Sequence, residues 1–283
     1  MSRVFLTECP RDALQGIKTF IPTDVKVKYL QSLLRVGYDV LDFGSFVSPK
    51  AVPQMRDTHE VVKQLDLSDT KTKLLAIVAN ERGAAEALSY EQISYIGYPF
   101  SISENFQMRN TNTTIEDSLL LLDRLVEYAS GLNRELVVYL SMGFGNPYGD
   151  PWSPTLVAAW VSRLVDMGVK RISLSDTVGL AQPNTITDLF EHLLEAYPDI
   201  VFGAHLHAKP NEANLKIKAA YAGGCRAFDS AIRGLGGCPM AKDELTGNVP
   251  TEKLLSFLTA KKAQISVNML HFESAYNASL VVC

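Results

Sequence analysis

His205-Leu206-His207 puts two imidazoles at positions i and i+2. On a strand both would face one side. Two such rings can share a metal ion, because neutral histidine is the commonest protein ligand for metals. A carboxylate from another strand and an Asn carbonyl would complete a nitrogen–oxygen site. Such a set suits Mg2+, Mn2+ or another divalent cation better than a thiolate-type zinc site does. Two hydrogen-bonded polar residues at a barrel mouth would leave the same pattern. Arg11-Asp12 offers a guanidinium beside a carboxylate, with a structural salt bridge as the other reading. Asp42, Ser141 and Ser175-Asp176-Thr177 also close apolar runs. Asp176 could serve only the backbone amides of its turn. Cys238 lies in Gly234-Leu235-Gly236-Gly237-Cys238-Pro239. An exposed thiol in such a loop, near cations, could titrate near neutrality and move a proton. A lone Cys is otherwise a small apolar residue.

These groups need elements to bring them together. Short β-rich apolar runs begin near Val4, Val40, Leu74, Tyr95, Val137, Ile172, Val201 and Ala227. Their average spacing of about 32 residues is the length of a βαβ unit. Runs such as 74–79 and 136–140 are apolar on both faces, as in parallel strands covered by helices. Between them lie helix starts: Thr23, a capping box at Thr113 with Glu116, and Pro154, Pro183, Pro210 and Pro250 as first helical residues. Gly37, Gly131, Gly168 and Gly223-Gly224 sit where helices stop. No composition shift or Ser/Gly linker divides the chain. Eight strand–helix units predict a single-domain α/β fold, a (β/α)8 TIM barrel over residues 1–283, with a terminal helix outside it from about residue 265. An open doubly wound sheet fits less well, since no glycine fingerprint follows the first strand.

The 283 residues carry 27 Lys plus Arg and 31 Asp plus Glu, a net charge of −4, and no basic block, so a nucleic-acid face is not expected. No apolar run reaches the roughly 18 residues of a membrane span, and no membrane association is expected. The start reaches charged residues too early for a secretory signal. Four well-separated cysteines fit reduced thiols and a cytoplasmic protein.

Several stretches occur together in order: Pro10-Arg-Asp-Ala-Leu-Gln15, Ser45-Phe-Val-Ser-Pro-Lys50, Val52-Pro-Gln-Met55, Ser103-Glu-Asn-Phe106, Gly145-Asn-Pro-Tyr-Gly149, Ser175-Asp-Thr177, His205-Leu-His207 and Gly234 to Pro239. From Val4 to about residue 270 the chain resembles the metal-dependent pyruvate-carboxyltransferase-like lyases and synthases, and within them the 3-hydroxy-3-methylglutaryl-CoA lyases. The resemblance implies a TIM barrel that cleaves a 3-hydroxyacyl-CoA to acetyl-CoA and a 3-keto acid, with leucine degradation or ketone-body formation as the associated pathway. It implies Asp12, His205, His207 and Asn248 as ligands of Mg2+ or Mn2+. Arg11 would stabilise the enolate oxygen, Asp42 would brace Arg11, and Cys238 would take part in proton transfer. Asp176 completes the expected catalytic set. An acyl-CoA substrate and a homo-oligomer, dimer or tetramer, are expected. A Claisen synthase or aldolase acting on a 2-oxo acid, or a non-catalytic metal-binding barrel, are the alternatives. The chain departs from the family at Cys9 and Ala13, where Gly is common, and at Ala208, where the family commonly has an acid. The 238–248 segment also reads one residue longer than usual.

Overall fold

The computed structural model describes residues 3–237 and 246–282. Eight parallel strands, β1 (Phe5–Glu8), β2 (Val40–Ser45), β3 (Lys73–Ile77), β4 (Ile93–Ser101), β5 (Glu135–Ser141), β6 (Arg171–Asp176), β7 (Val201–Ala208) and β8 (Ala227–Ser230), pair in sequence order. β8 pairs back onto β1, with Phe5 opposite Ala227 and Glu8 opposite Ser230, so the sheet closes. The helices are α1 (Pro10–Gln15), α2 (Thr23–Val36), α3 (Thr58–Gln64), α4 (Glu81–Leu88), α5 (Glu104–Thr111), α6 (Ile115–Gly131), α7 (Pro154–Asp166), α8 (Pro183–Ala196), α9 (Ala213–Ala222), α10 (Thr251–Ala260) and α11 (Met269–Val282). This is the expected (β/α)8 barrel. The terminal helix α11 packs on α2, tied by a 2.8 Å bond from the Asn268 N–H to the Val36 carbonyl.

Strand alternation sorts the core into two parts. Outward side chains such as Leu41, Ile96, Val138, Leu174 and Leu206 join the helices in the main core. Inward ones, Leu75, Ile77, Tyr95 and Tyr139, fill the barrel. Gly97 has no side chain because a Cβ there would lie 2.6 Å from Ile77 Cδ1.

Several boundaries differ from the sequence reading. Arg11 and Asp12 lie not on a strand end but on α1, which Pro10 opens directly after β1. The α6 cap is Thr114, one residue on from Thr113, and its Oγ1 accepts from the Asp117 N–H at 3.0 Å. Pro210 precedes the turn before α9, and Pro250 caps α10 from outside. A two-residue strand, β9 (Gly247–Asn248), runs antiparallel to β7 and was not anticipated.

Glu8, on the outward face of β1, is fully buried. Its carboxylate accepts from the Ile232 N–H at 2.7 Å and the Thr251 hydroxyl at 2.6 Å, joining the segment after β8 to the start of α10. Burial pushes its pKa up from about 4.5 to about 8 despite these bonds. The unfolded chain therefore loses this proton first as pH rises. The contribution to stability is complete below pH 4.5 and is lost as pH rises through about 8. Glu8→Gln keeps an acceptor for Ile232 and removes the ionisation. Its denaturation midpoint should fall less than the parent's between pH 5 and 9, which urea titrations across that range would measure.

Candidate active site

The C-terminal ends of the strands open into a pocket of about 520 Å3. One wall is apolar, with Val47, Val52, Ile77 and Pro99; the outer rim is polar, with Asn80, Arg109 and Asn112. Its floor holds Arg11, Asp12, Tyr139, Ser141, His205 and His207.

The histidines are where alternation along β7 sends them, both inward and buried, with ring centroids 5.2 Å apart. Asp12 comes from α1, which follows β1, two strands round the barrel from β7. One donor atom from each of Asp12, His205 and His207 lies within 4.8 Å of the others. Asn248 joins them because β9 pairs its backbone with His207. Its amide N–H donates to Asp12 Oδ2 at 2.6 Å and to the Leu235 carbonyl at 2.9 Å. The backbone at Gly236, φ +94°, presses on this corner; a Cβ there would lie 2.7 Å from the Asp12 carbonyl. Only glycine suits that conformation and approach.

Arg11 is clamped. Its Nε and Nη2 donate to Asp42, the latter at 2.6 Å, and Nη1 donates to Asp12 at 3.0 Å and Gln15 at 3.1 Å. Asp42 reaches it from β2, where the register slips between Asp42 and Gly44, a bulge of the kind that re-aims side chains beside sites. Burial opposes charge on Arg11, but the two carboxylates outweigh it and raise its pKa. Burial pushes Asp42 up to about 6, against the pull of Arg11. For Asp12 burial is outweighed by Arg11, His207 and His205, and its pKa falls to about 2. Burial and the neighbouring His205 hold His207 down at about 4, so it is neutral at pH 7.

Both ring nitrogens of His207 are buried without a hydrogen-bond partner among the described residues. Orphaned buried nitrogens are costly unless something binds them. His205 Nδ1 lies 3.1 Å from Asp229 Oδ2, and Asp229 also accepts from the Ser173 hydroxyl at 2.9 Å. That pairing fixes the tautomer that leaves Nε2 as the ligand atom. Two imidazoles, an ionised carboxylate and an amide thus fit a divalent cation, with Asn248 using Oδ1 after its amide turns over.

Asp176 is elsewhere. Its carboxylate lies behind the site, 2.6 Å from Lys216 Nζ, and accepts from the Ala181 N–H. Lys216 also donates to the His207 carbonyl at 2.9 Å, so this pair braces the end of β7. Lys216→Met would leave Asp176 buried and unpaired. It should lower unfolding stability by about 3–5 kcal/mol, measured by chemical denaturation. Cys238 lies outside the described residues. Two residues here were not singled out from sequence: Asp229 and Lys216. Asp229 could have been found as the inward polar residue two beyond Ala227 on the last strand, but Lys216 on a helix gave no signal.

Fold and site together define a (β/α)8 barrel with a candidate divalent-cation centre at its C-terminal mouth. The sequence matches the HMGL-like family over residues 4–278, and the chain belongs to that family. It is 34% identical over 262 residues to the mitochondrial hydroxymethylglutaryl-CoA lyase of Rattus norvegicus, covering 92% of this chain and 79% of that one. The structure of hydroxymethylglutaryl-CoA lyase from Pseudomonas aeruginosa superposes with a TM-score of 0.91 at 32% identity, covering 99% and 93% of the two chains. An HMG-CoA lyase from Acinetobacter baumannii, in complex with coenzyme A and 3-methylmalate, gives 0.91 at 27% identity, covering 99% and 91%.

Proposed function

We propose that this chain is a divalent-cation-dependent carbon–carbon lyase. It cleaves 3-hydroxy-3-methylglutaryl-CoA to acetyl-CoA and acetoacetate by a retro-Claisen reaction. The observation that carries this reading is the buried Asp12–His205–His207 cluster beside Arg11, on the pocket floor of an HMGL-like barrel. The reading takes the whole chain as one catalytic domain, Mg2+ or Mn2+ as the cation, the cytoplasm as the compartment and leucine degradation as the pathway. Among the described residues no helix is long and apolar enough to cross a membrane.

Asp12, His205, His207 and Asn248 would hold the cation. Held by these residues, a divalent ion would supply Lewis-acid chemistry that lowers the pKa of the substrate's 3-hydroxyl. As the C2–C3 bond breaks, the 3-hydroxyl proton passes to pocket water, the hydroxyl carbon becomes the ketone of acetoacetate, and C2 leaves as an enolate whose charge gathers on the thioester oxygen. Arg11 answers that charge. Of its five N–H groups, Asp42, Asp12 and Gln15 engage four, which leaves, among the described residues, one Nη2 N–H for the oxygen. Held by two carboxylates, the guanidinium needs no reorganisation as charge develops, and this is the condition for strong oxyanion stabilisation. Tyr139 stacks edge-on against His205, with ring centroids 5.3 Å apart, and holds the imidazole from the barrel side. Asp176 acts as a positioning residue through Lys216. Cys238 is assigned proton delivery to the enolate carbon on its motif alone.

The test is thioester cleavage over a small panel of 3-hydroxyacyl-CoAs, with and without Mg2+ or Mn2+. Cation-dependent release of acetyl-CoA and acetoacetate is expected. A folded, cation-loaded protein that turns over no member of the panel would overturn the proposal.

A further inference from the structure

Beneath the Asp12–His205–His207 cluster lies a second set of donors. Cys9 Sγ, a His205 ring nitrogen and an Asp229 carboxylate oxygen lie within 4.8 Å of one another, all in buried residues. The thiol stands at a position where the family resemblance implies Gly. Its hydrogen bond is weak, a 3.9 Å contact to the Thr7 carbonyl. On the floor side a cavity of about 60 Å3 is bordered by Thr7, Tyr139, Ser173 and Asp229. Of the three donors only Asp229 borders that cavity. The buried carboxylates of Asp229, Asp42, Asp12 and Glu8 all act on Cys9, with the Arg11 guanidinium paired to two of them. A further positive charge is favoured in that field.

We propose that Cys9, His205 Nδ1 and Asp229 form a second cation site, selective for thiophilic divalent ions of the Zn2+ and Cd2+ class. Thiolate is a soft ligand that such ions prefer, whereas Mg2+ and Mn2+ favour oxygen. Zinc bonds sulfur at about 2.3 Å and nitrogen or carboxylate oxygen at about 2.0–2.2 Å. The three donor atoms already lie within 4.8 Å of one another. On binding, the thiol proton leaves to solvent. His205 changes tautomer, with the proton moving from Nδ1 to Nε2. A protonated Nε2 cannot serve the upper cluster, so the two sites exclude one another at His205. Thiophilic ions therefore displace Mg2+ or Mn2+ without occupying their position.

The full chain, stripped of cations, is titrated with Co2+ as a spectroscopic probe. A sulfur-to-cobalt charge-transfer band in the near ultraviolet is expected in the parent and in Cys225→Ala, and is lost in Cys9→Gly and Cys9→Ala. Mn2+ affinity, followed by electron paramagnetic resonance, should stay at the parent's value in Cys9→Gly. The Cd2+ needed to displace that Mn2+ should rise at least about tenfold, the scale on which loss of one supporting group changes metal affinity. The proposal is overturned if no band depends on Cys9, or if Cd2+ displaces Mn2+ equally from parent and Cys9→Gly. Should both Cys9 variants fail to fold, Asp229→Asn decides: the band must shift and Co2+ affinity must fall. No turnover enters the test, so its outcome is separate from that of the lyase reading.

Discussion

Arg11→Lys is expected to lower turnover by about 10² or more, while cation affinity and substrate KM stay near the parent's values. The size follows from the loss of one donor aimed at a developing oxyanion. Charge on the thioester oxygen exists only as the bond breaks, so the lost interaction belongs to the transition state and leaves the ground state alone. Lys keeps the positive charge between Asp42 and Asp12 but not the planar fork. One ammonium cannot serve Asp42, Asp12, Gln15 and an enolate oxygen together. Arg11→Met is the less informative variant. It strands two carboxylates in a buried place, at a cost of about 3–5 kcal/mol, so lost activity would mix with lost fold. Steady-state kinetics with denaturation curves on both variants separate the two effects. A large rise in KM at unchanged turnover in Arg11→Lys would show that the guanidinium only binds the ground state.

The same clamp shows what was legible in the sequence. The chemistry of Arg11-Asp12 could be read from residue types, but its element could not. As neighbours on a strand the two side chains would have pointed apart. Pro10 starts a helix immediately after Cys9, and on a helix both reach the mouth. His205 and His207 were readable in full, because alternation is a local rule and β7 obeys it. Asn248 was available only through resemblance. A two-residue strand has no periodicity to detect, and its pairing with β7 is a long-range contact. The shift of the α6 cap from Thr113 to Thr114 is a competition between two adjacent threonines. Thr114 wins because Asp117 both donates its backbone N–H and accepts from the same hydroxyl. Asp229 and Lys216 act through partners from other strands, His205 and Asp176, which no local pattern announces.

The second large effect is expected at His207. Neither of its two buried ring nitrogens meets the geometric criteria for a hydrogen bond among the described residues, so His207→Ala strands no strong partner among them. The cation-free variant should therefore unfold close to the parent's midpoint. His205→Ala is different, because it leaves Asp229 with Ser173 as its one hydrogen-bond partner among the described residues and costs stability of its own. Cation binding should respond the other way. A ligand that binds only the folded state stabilises it by RT ln(1 + [L]/Kd), about 2.7 kcal/mol at a hundred times Kd. At that Mn2+ concentration the parent should gain this amount. His207→Ala, with affinity lowered about 10²-fold or more, should gain less than about 0.5 kcal/mol by the same relation. The His205→Ala/His207→Ala double variant should gain nothing measurable. Denaturation of all three proteins with and without Mn2+ reads the difference directly. An equal gain in parent and double variant would put the cation outside the barrel mouth, and the roles assigned to Asp12 and Asn248 would fall with it.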